Sequence, residues 1–280
     1  MDNKNVKWVI EGMLWEDGII EKFEKSLNKQ NINYIITSPE ESRNGFEKLG
    51  NKEECIIFYG SLETAKLIRE TKKWIPGIYY SKQFYDCSFY YPYLGRYLLN
   101  GNKYCFLPYG DLIRNKEFIF TTFGEDNAIF IRPDKGDKPF TGKCVYKENF
   151  EREIEIAGFY GFSNNQMVLI STPKNIEKEW RFFVVNKNII TGSLYRVGNN
   201  RVALEANDYE AKELAEHVAS GEYQPDRAWV LDVCKTKCGN YYVLEVGCFS
   251  CSGMYGSDID KIVDSISLCA VKEYEEYQNI

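Results

Sequence analysis

The sequence predicts an α/β protein of two units, a helix-covered parallel sheet followed by mostly antiparallel sheets, and three observations predict it. Short apolar strand-like runs alternate with amphipathic helical runs in the amino-terminal part, the pattern of a parallel sheet covered by helices. In the carboxy-terminal part, apolar strand pairs are joined by short polar turns, the pattern of antiparallel hairpins. A hydrophobic fraction of 44% and an aromatic fraction of 15% over 280 residues supply enough apolar surface for real cores and exclude a disordered chain.

Val6–Ile10 reads as the first strand, and Asp17–Gln30 as a helix with Ile19, Ile20, Phe23 and Leu27 at helical spacing. Ile32–Thr37 and Cys55–Tyr59 are the next strands. A helix then runs from Gly60-Ser61 to Trp74, with Ser61 as its N-cap. Tyr79–Tyr97 crowds nine aromatic residues together. Two readings stay open for it, a packed bridge between units or a surface for a substrate or protein partner. Beyond it the strands are Ala128–Arg132, a short one near Val145, and Met167–Ile170, with a helix around Phe150–Ala157. A hairpin follows, Trp180–Val185 and Ile189–Arg196, turning at Asn186-Lys187-Asn188. Asp208–Ser220 is helical. Ala228–Cys234 and Tyr241–Val246 form a last hairpin turning at Cys238-Gly239, and a helix spans Asp258–Tyr274. No repeat is visible.

A net charge of −6 and a pI near 5.2 argue against nucleic acid as the main partner, since phosphate backbones select basic surfaces. No apolar window approaches a membrane span, and the first residues are too short and polar for a signal peptide. Nine cysteines without such a signal read as reduced thiols in a cytoplasmic protein. The single histidine, His217, nearly excludes His-based nucleophilic catalysis and multi-His metal sites.

The strongest chemical signal is the last hairpin. With a two-residue turn at Cys238-Gly239, Asp232 lies directly opposite Glu245. Opposed β-carbons sit about 4.5–5.5 Å apart, where like charges repel. A divalent cation resolves that repulsion, and an oxygen-only ligand pair suits Mg²⁺; a different register, or two solvent-facing carboxylates, are the bland alternatives. Cations accompany them. Arg132 closes an apolar strand, and Arg181 sits inside another, where a charge needs a partner. Lys135, Lys138 and Lys143 lie in a loop with Gly136 and Gly142, where a solvated basic loop is the preferred reading for Lys135 and Lys143, and Arg196 ends the partner strand. Arginine forks and glycine-exposed amides suit phosphate.

The ordered segments FIRP, KPFTG, EWRFFVV, VLDV and VLEVGCFSCSGMYG resemble the ATP-grasp superfamily, in particular the clade of predicted ligases named for two arginines and a lysine. The resemblance covers roughly Lys116–Ile280. It implies an α+β ATP-grasp fold in residues 116–280, with subdomains of about 116–170 and 171–280, after a pre-ATP-grasp unit in residues 1–115. It also implies ATP and Mg²⁺ as cofactors and a reaction joining a carboxylate to an amine through an acyl-phosphate. Position by position, Arg132 and Lys138 match phosphate contacts. Ser171 matches the hinge that meets adenine, and Glu179 and Arg181 match an acidic–x–Arg motif facing the phosphates. Arg196 is a further nucleotide contact. Asp232 and Glu245 match the magnesium ligands. Arg132, Lys138 and Arg181 are the residues implied to act in catalysis. The substrates implied are small-molecule or peptide carboxylates and amines. Arg196, Asn199 and Tyr255 are candidates near the acceptor, and Pro133–Lys143 for a lid.

One departure matters. The family pattern Glu-x-Asn is Glu245-Val246-Gly247 here, so a side-chain ligand is missing unless Ser250 or Ser252 replaces it. The alternative function is therefore a nucleotide-binding protein without turnover, docking a partner. Two rivals fail on geometry or chemistry. Cys234, Cys238, Cys248 and Cys251 suggest zinc, but ten residues of strand separate Cys238 from Cys248 by roughly 33 Å, against the short bonds of one zinc. A nucleophilic cysteine lacks a base, because His217 sits on a polar surface helix.

Overall fold

The computed structural model describes residues 5–12, 18–45, 48–137, 140–159 and 163–279. The amino-terminal unit contains β1 (Lys7–Glu11), α1 (Ile19–Gln30), β2 (Asn33–Thr37), α2 (Pro39–Gly45), β3 (Cys55–Tyr59), α3 (Leu62–Thr71) and β4 (Ile75–Gly77). Its sheet is parallel throughout, in the order β2-β1-β3-β4. Ile19, Phe23 and Leu27 form the buried stripe of α1, which stops where Asn31 adopts a left-handed conformation. Ser61 caps α3, its hydroxyl accepting from the Thr64 amide.

A four-stranded antiparallel sheet follows, assembled from β5 (Tyr104–Pro108), β6 (Ala128–Pro133), β7 (Lys143–Tyr146) and β8 (Met167–Ser171) in the order β5-β8-β6-β7. It is accompanied by α4 (Cys87–Leu94), α5 (Lys116–Phe123) and α6 (Phe150–Phe159). Tyr104–Pro108, inside the segment expected to close the first unit, is an edge strand of this middle sheet. The third sheet holds β9 (Ile176–Val185), β10 (Asn188–Val197), β11 (Asn200–Glu205), β12 (Ala228–Thr236) and β13 (Tyr241–Cys248) in the order β11-β10-β9-β12-β13. Helices α7 (Tyr209–Ala219) and α8 (Ile259–Gln278) complete the chain. Elements α2, β4, α4, β5, α5 and β11 escaped the sequence reading. β4 is three residues with a proline, and β11 is exposed at nearly every position, so neither shows periodicity.

The two faces of the third sheet explain where a site can form. Trp180, Phe182, Val184, Trp229, Leu231 and Val233 face one cluster that includes α7. On the other face Phe183, Val185, Ala228 and Val230 join α8 and the amino-terminal sheet. That second face changes character along each strand: Phe183 and Val185 give way to Arg181 and Glu179, and Val230 gives way to Asp232. Alternation puts these residues on one side. The apolar half is covered by α8, and the charged half lies beyond that cover. A buried hydrogen bond from Trp8 Nε1 to Ser267 Oγ (2.9 Å) fixes α8 to β1.

The aromatic segment is core. Tyr79, Tyr80, Tyr85, Tyr90 and Tyr91 are at most 3% exposed, and Tyr90 continues through Tyr223 to Trp229. Its position is that of the packed bridge. Tyr93 is the exposed exception.

Asp226 closes this bridge, accepting from the Ser81 amide and hydroxyl and from the Tyr85 hydroxyl. Burial pushes its carboxyl from 3.8 up to about 6, outweighing those three hydrogen bonds. A carboxyl raised in the folded state favours folding below its unfolded pKa and loses that contribution as pH rises through the folded value. Acidification from pH 7.5 to 5 reaches about one unit below the folded value and should therefore stabilise the protein through this group by roughly 1.4 kcal/mol, at ~1.4 kcal/mol per unit. Thermal unfolding across that range is expected to show the gain, and Asp226→Asn should remove it.

Candidate active site

A cavity of about 490 Å³ lies between the middle and third sheets. The sequence-selected residues Arg132, Glu179, Arg181, Arg196, Asp232 and Glu245 all line it. β9, β12 and β13 supply Arg181, Asp232 and Glu245 from adjacent strands; Asp232 is directly opposite both Arg181 and Glu245.

The Asp232–Glu245 register was anticipated, but its cause differs from the simple hairpin. The turn holds three residues, with the Thr236 amide and hydroxyl both donating to the Asn240 carbonyl across it, and the ladder below is offset by one. A bulge at Leu244 restores the register from Asp232 onward. The two one-residue departures cancel. The bulge also brings Leu244 and Glu245 to the same cavity. A second bulge, at Tyr195 on β10, lets Tyr195 and Arg196 both reach it.

The charges are paired. Arg181 forks onto Asp232, with Nε to Oδ1 and Nη2 to Oδ2 both at 2.8 Å. Arg132 Nη2 lies 3.2 Å from Glu245 Oε2, and Arg196 Nε lies 3.5 Å from Glu179 Oε1. The Tyr195 hydroxyl donates to Glu179 Oε2 (2.6 Å) and approaches Asp232 Oδ2 (3.4 Å). Tyr195 and Tyr255 stack on each other, and the Arg181 guanidinium lies over both rings at 5.7 and 5.3 Å.

Burial opposes the charge on Arg181, but Asp232 beside it holds the guanidinium above its ordinary value. Arg132 is likewise held up against burial, with Glu245 among the groups responsible. Burial raises the Glu179 carboxyl; Tyr195 and Arg196 oppose the rise, and Asp232 and Glu245 add to it. Tyr195 is pushed well above the ordinary phenol range, by burial first and then by Asp232 and Glu179. It stays a hydrogen-bond donor.

Other expectations resolve differently. Lys138 lies outside the described residues. Lys135 pairs with Asp86 at 3.3 Å and Lys143 with Glu153, so both serve the scaffold. The first half of the expected lid is bolted to the amino-terminal side. Asp134 accepts from the Ser88 amide and hydroxyl, Gly136 donates to Asp86, and Asp137 pairs with Lys66. Ser171 ends β8 fully buried; its hydroxyl and that of Thr172 have no hydrogen-bond partner. Asn199 occupies the β10–β11 turn and does not line the cavity, whereas Tyr255 does. Ser250 Oγ accepts from the Tyr79 amide and Ser252 Oγ donates to the Cys248 carbonyl, so both have structural partners. A β-carbon at Gly247 would meet Val230 at 3.0 Å, which leaves little room for the missing side chain. Cys238 is exposed in its turn and Cys234 is buried in β12. Among the described residues no group of three or more His, Cys, Asp or Glu can hold a metal.

Phe130, Tyr195 and Arg201, which also line the cavity, were missed. Arg201 stands directly opposite Arg196 on the β10–β11 hairpin. The Gly198-Asn199 turn would have revealed it by the same pairing arithmetic used for the carboxylates.

The donor set fits a nucleotide with magnesium. Two oxygen-only ligands match an ion that takes one or two carboxylates plus phosphates. The unpartnered hydroxyls at Ser171 and Thr172 sit where the hinge is expected. Gly142 is the close-approach residue, since a β-carbon there would lie 2.8 Å from the Phe130 ring.

Comparison with known proteins agrees with this fold. Among curated protein sequences there is no match. Many solved structures share the fold. D-cycloserine synthetase DcsG aligns with a TM-score of 0.65 at 13% identity, covering 96% of this chain and 99% of that one. D-alanine–D-alanine ligase from Bacillus anthracis, complexed with ATP, gives 0.58 at 14% identity over 97% and 98%. The ATP-grasp ligase PsnB, complexed with a minimal precursor, gives 0.58 at 12% identity over 96% and 99%. The family model for the ATP-grasp domain of the clade named for two arginines and a lysine, family 3, matches residues 98–266, more than half of the chain. The chain belongs to that ATP-grasp family.

Proposed function

We propose that this ATP-grasp protein is an ATP-dependent carboxylate–amine ligase working through an acyl-phosphate. The observation that carries the reading is the cavity itself. Two opposed carboxylates are bracketed by arginines from both walls. Asp232 and Glu245 would hold Mg²⁺, which when bound supplies positive charge against the phosphate oxygens. Arg132, Arg181 and Arg196 would bind phosphate oxygens, with Lys138 adding charge, and the Ser171 hinge would receive the adenine. Tyr195 orients Glu179 and Asp232, and with Tyr255 it fixes the Arg181 plane. A carboxylate oxygen attacks the γ-phosphorus and ADP leaves. An amine then attacks the acyl carbon, phosphate leaves and the amine proton is lost. The protein's work is positioning and charge neutralisation, so His217 is not needed.

The names of the fold relatives support amino-acid-like or peptide substrates. Two subdomains would close on the nucleotide, the first beginning with β5 rather than at residue 116 and the second spanning about 171–280, with the preceding parallel-sheet unit helping to enclose the carboxylate. Among the described residues no helix is long and apolar enough to cross a membrane. Nine cysteines, none of them in a disulfide, support a reducing, cytoplasmic setting.

Phosphate release with ATP, Mg²⁺ and panels of carboxylates and amines tests the reading. Release that requires both substrates is the expected result. Gly247 favours a second reading, nucleotide binding without turnover, because the family's asparagine ligand is absent. Tight ATP binding with no release over broad panels would select it.

A further inference from the structure

We infer that Cys248 and Cys251 form a redox couple, closed to a disulfide by an oxidised low-molecular-weight thiol such as glutathione disulfide, and that closure loosens the support of Arg181. These two thiols are the half of the rejected zinc tetrad that the fold does bring together. They bracket a turn just after β13, in which the Ser252 amide donates to the Phe249 carbonyl at 3.1 Å and the Ser252 hydroxyl to the Cys248 carbonyl. Cys251 donates a hydrogen bond to Cys248, and both residues are half-buried, within reach of an oxidant. Beside them stands a group with nothing else to do. Tyr80 is 3% exposed, its hydroxyl has no hydrogen-bond partner, and it lies within electrostatic reach of both sulfurs. That hydroxyl can donate to a thiolate formed there.

The hydrogen bond to Cys248, and then burial, hold the Cys251 thiol well above its ordinary range. Cys251 therefore keeps its proton, and Cys248 is the attacking sulfur. Its thiolate attacks one sulfur of glutathione disulfide, whose S–S bond breaks as one glutathione leaves. Cys251 then gives up its proton and attacks the Cys248 sulfur of the mixed disulfide, releasing the second glutathione. Two electrons pass to the oxidant, and the two thiol protons end on two glutathiones. Bonded sulfurs sit about 2 Å apart, closer than hydrogen-bonded thiols, so closure shortens the turn. The turn is pinned to the amino-terminal unit. The Ser250 carbonyl accepts from the Gly60 amide at 2.9 Å, Ser250 Oγ from the Tyr79 amide at 3.0 Å, and the Ser252 carbonyl from the Tyr59 hydroxyl at 2.7 Å. The displacement passes to Gly253, next in the chain, whose carbonyl accepts from Arg181 Nη1 across 3.5 Å. That contact is already long and is the first to break. Where Arg181 binds phosphate, as proposed above, its loss lowers nucleotide affinity.

The test uses the full chain carrying Cys144→Ser and Cys238→Ser, which remove the two exposed thiols. The reduced protein is incubated with excess glutathione disulfide, its thiols are counted, and any disulfide is located by mass spectrometry of proteolytic fragments. A bond mapped between Cys248 and Cys251, with neither sulfur retaining a glutathionyl group, is the expected result. Adding Cys251→Ser should trap a glutathionyl group on Cys248, and adding Cys248→Ser should leave Cys251 unmodified. The unsubstituted chain, treated alike, keeps the mapping decisive if a serine disturbs folding. Calorimetric titration of ATP with Mg²⁺ should show about tenfold weaker binding to the oxidised protein, the scale of one lost hydrogen bond to a charged group. Dithiothreitol should restore it. Both thiols remaining free in excess oxidant would overturn the couple, and a closed bond with ATP affinity unchanged would overturn its effect on Arg181. If the reduced protein binds no ATP, the functional reading fails and the affinity effect with it, while the mapped bond still decides whether the couple exists.

Discussion

Arg181→Met should abolish detectable ATP binding and lower the unfolding midpoint by about 10 °C. The stability loss follows from what stays behind. Asp232 is 1% exposed, and without Arg181 it loses its two-bond guanidinium fork while staying buried. Breaking a buried pair from one side costs roughly 3–5 kcal/mol, and each kcal/mol moves the midpoint of a protein of this size by about 2–4 °C. Removing both partners, as Arg181→Met with Asp232→Leu, should recover most of the stability, because apolar side chains can replace an ion pair at little cost. Nucleotide binding should not return. Differential scanning calorimetry with ATP titration separates the two effects. A single variant as stable as wild type would mean that the pair is solvated and loosely held.

The second large effect concerns turnover. With Asp232→Asn and Glu245→Gln combined, ATP consumption should fall by about a thousandfold or more, the scale of several kcal/mol of lost charge stabilisation by a metal. Raising Mg²⁺ from 1 to 50 mM, roughly the range over which a weakened carboxylate site refills, should not restore it. Phosphate release under matched ATP saturation checks this. Turnover within tenfold of wild type would show that the ion is held elsewhere. Both substitutions are isosteric and keep hydrogen-bond acceptors for Arg181 and Arg132, so the fold should survive better than in Arg181→Met.

The chain's local chemistry decided much on its own. Strand alternation placed Glu179 and Arg181 on one face. The caps Ser61, Asp208 and Asp258 marked helix starts, each accepting from an amide three residues on. Asp232 was placed opposite Glu245 because antiparallel pairing is an arithmetic relation between residues close in sequence. Even there the agreement came from two cancelling shifts, a longer turn and the Leu244 bulge. Bulges depend on contacts across the sheet, which no local pattern encodes.

Only the tertiary structure could show that Arg132, from a strand of a different sheet, answers Glu245. The same holds for the aromatic run 79–97: its composition fits a core or a surface equally well. Its burial is decided by α7, β12 and the middle sheet arriving from later in the chain. What the sequence determined by itself are the elements and which residues share a face, because these rest on periodicities of two and 3.6 residues. Which faces meet, which charges pair across the cleft, and which half of β9 lies under α8 were decided by long-range packing. There the free energy depends on partners far apart along the chain.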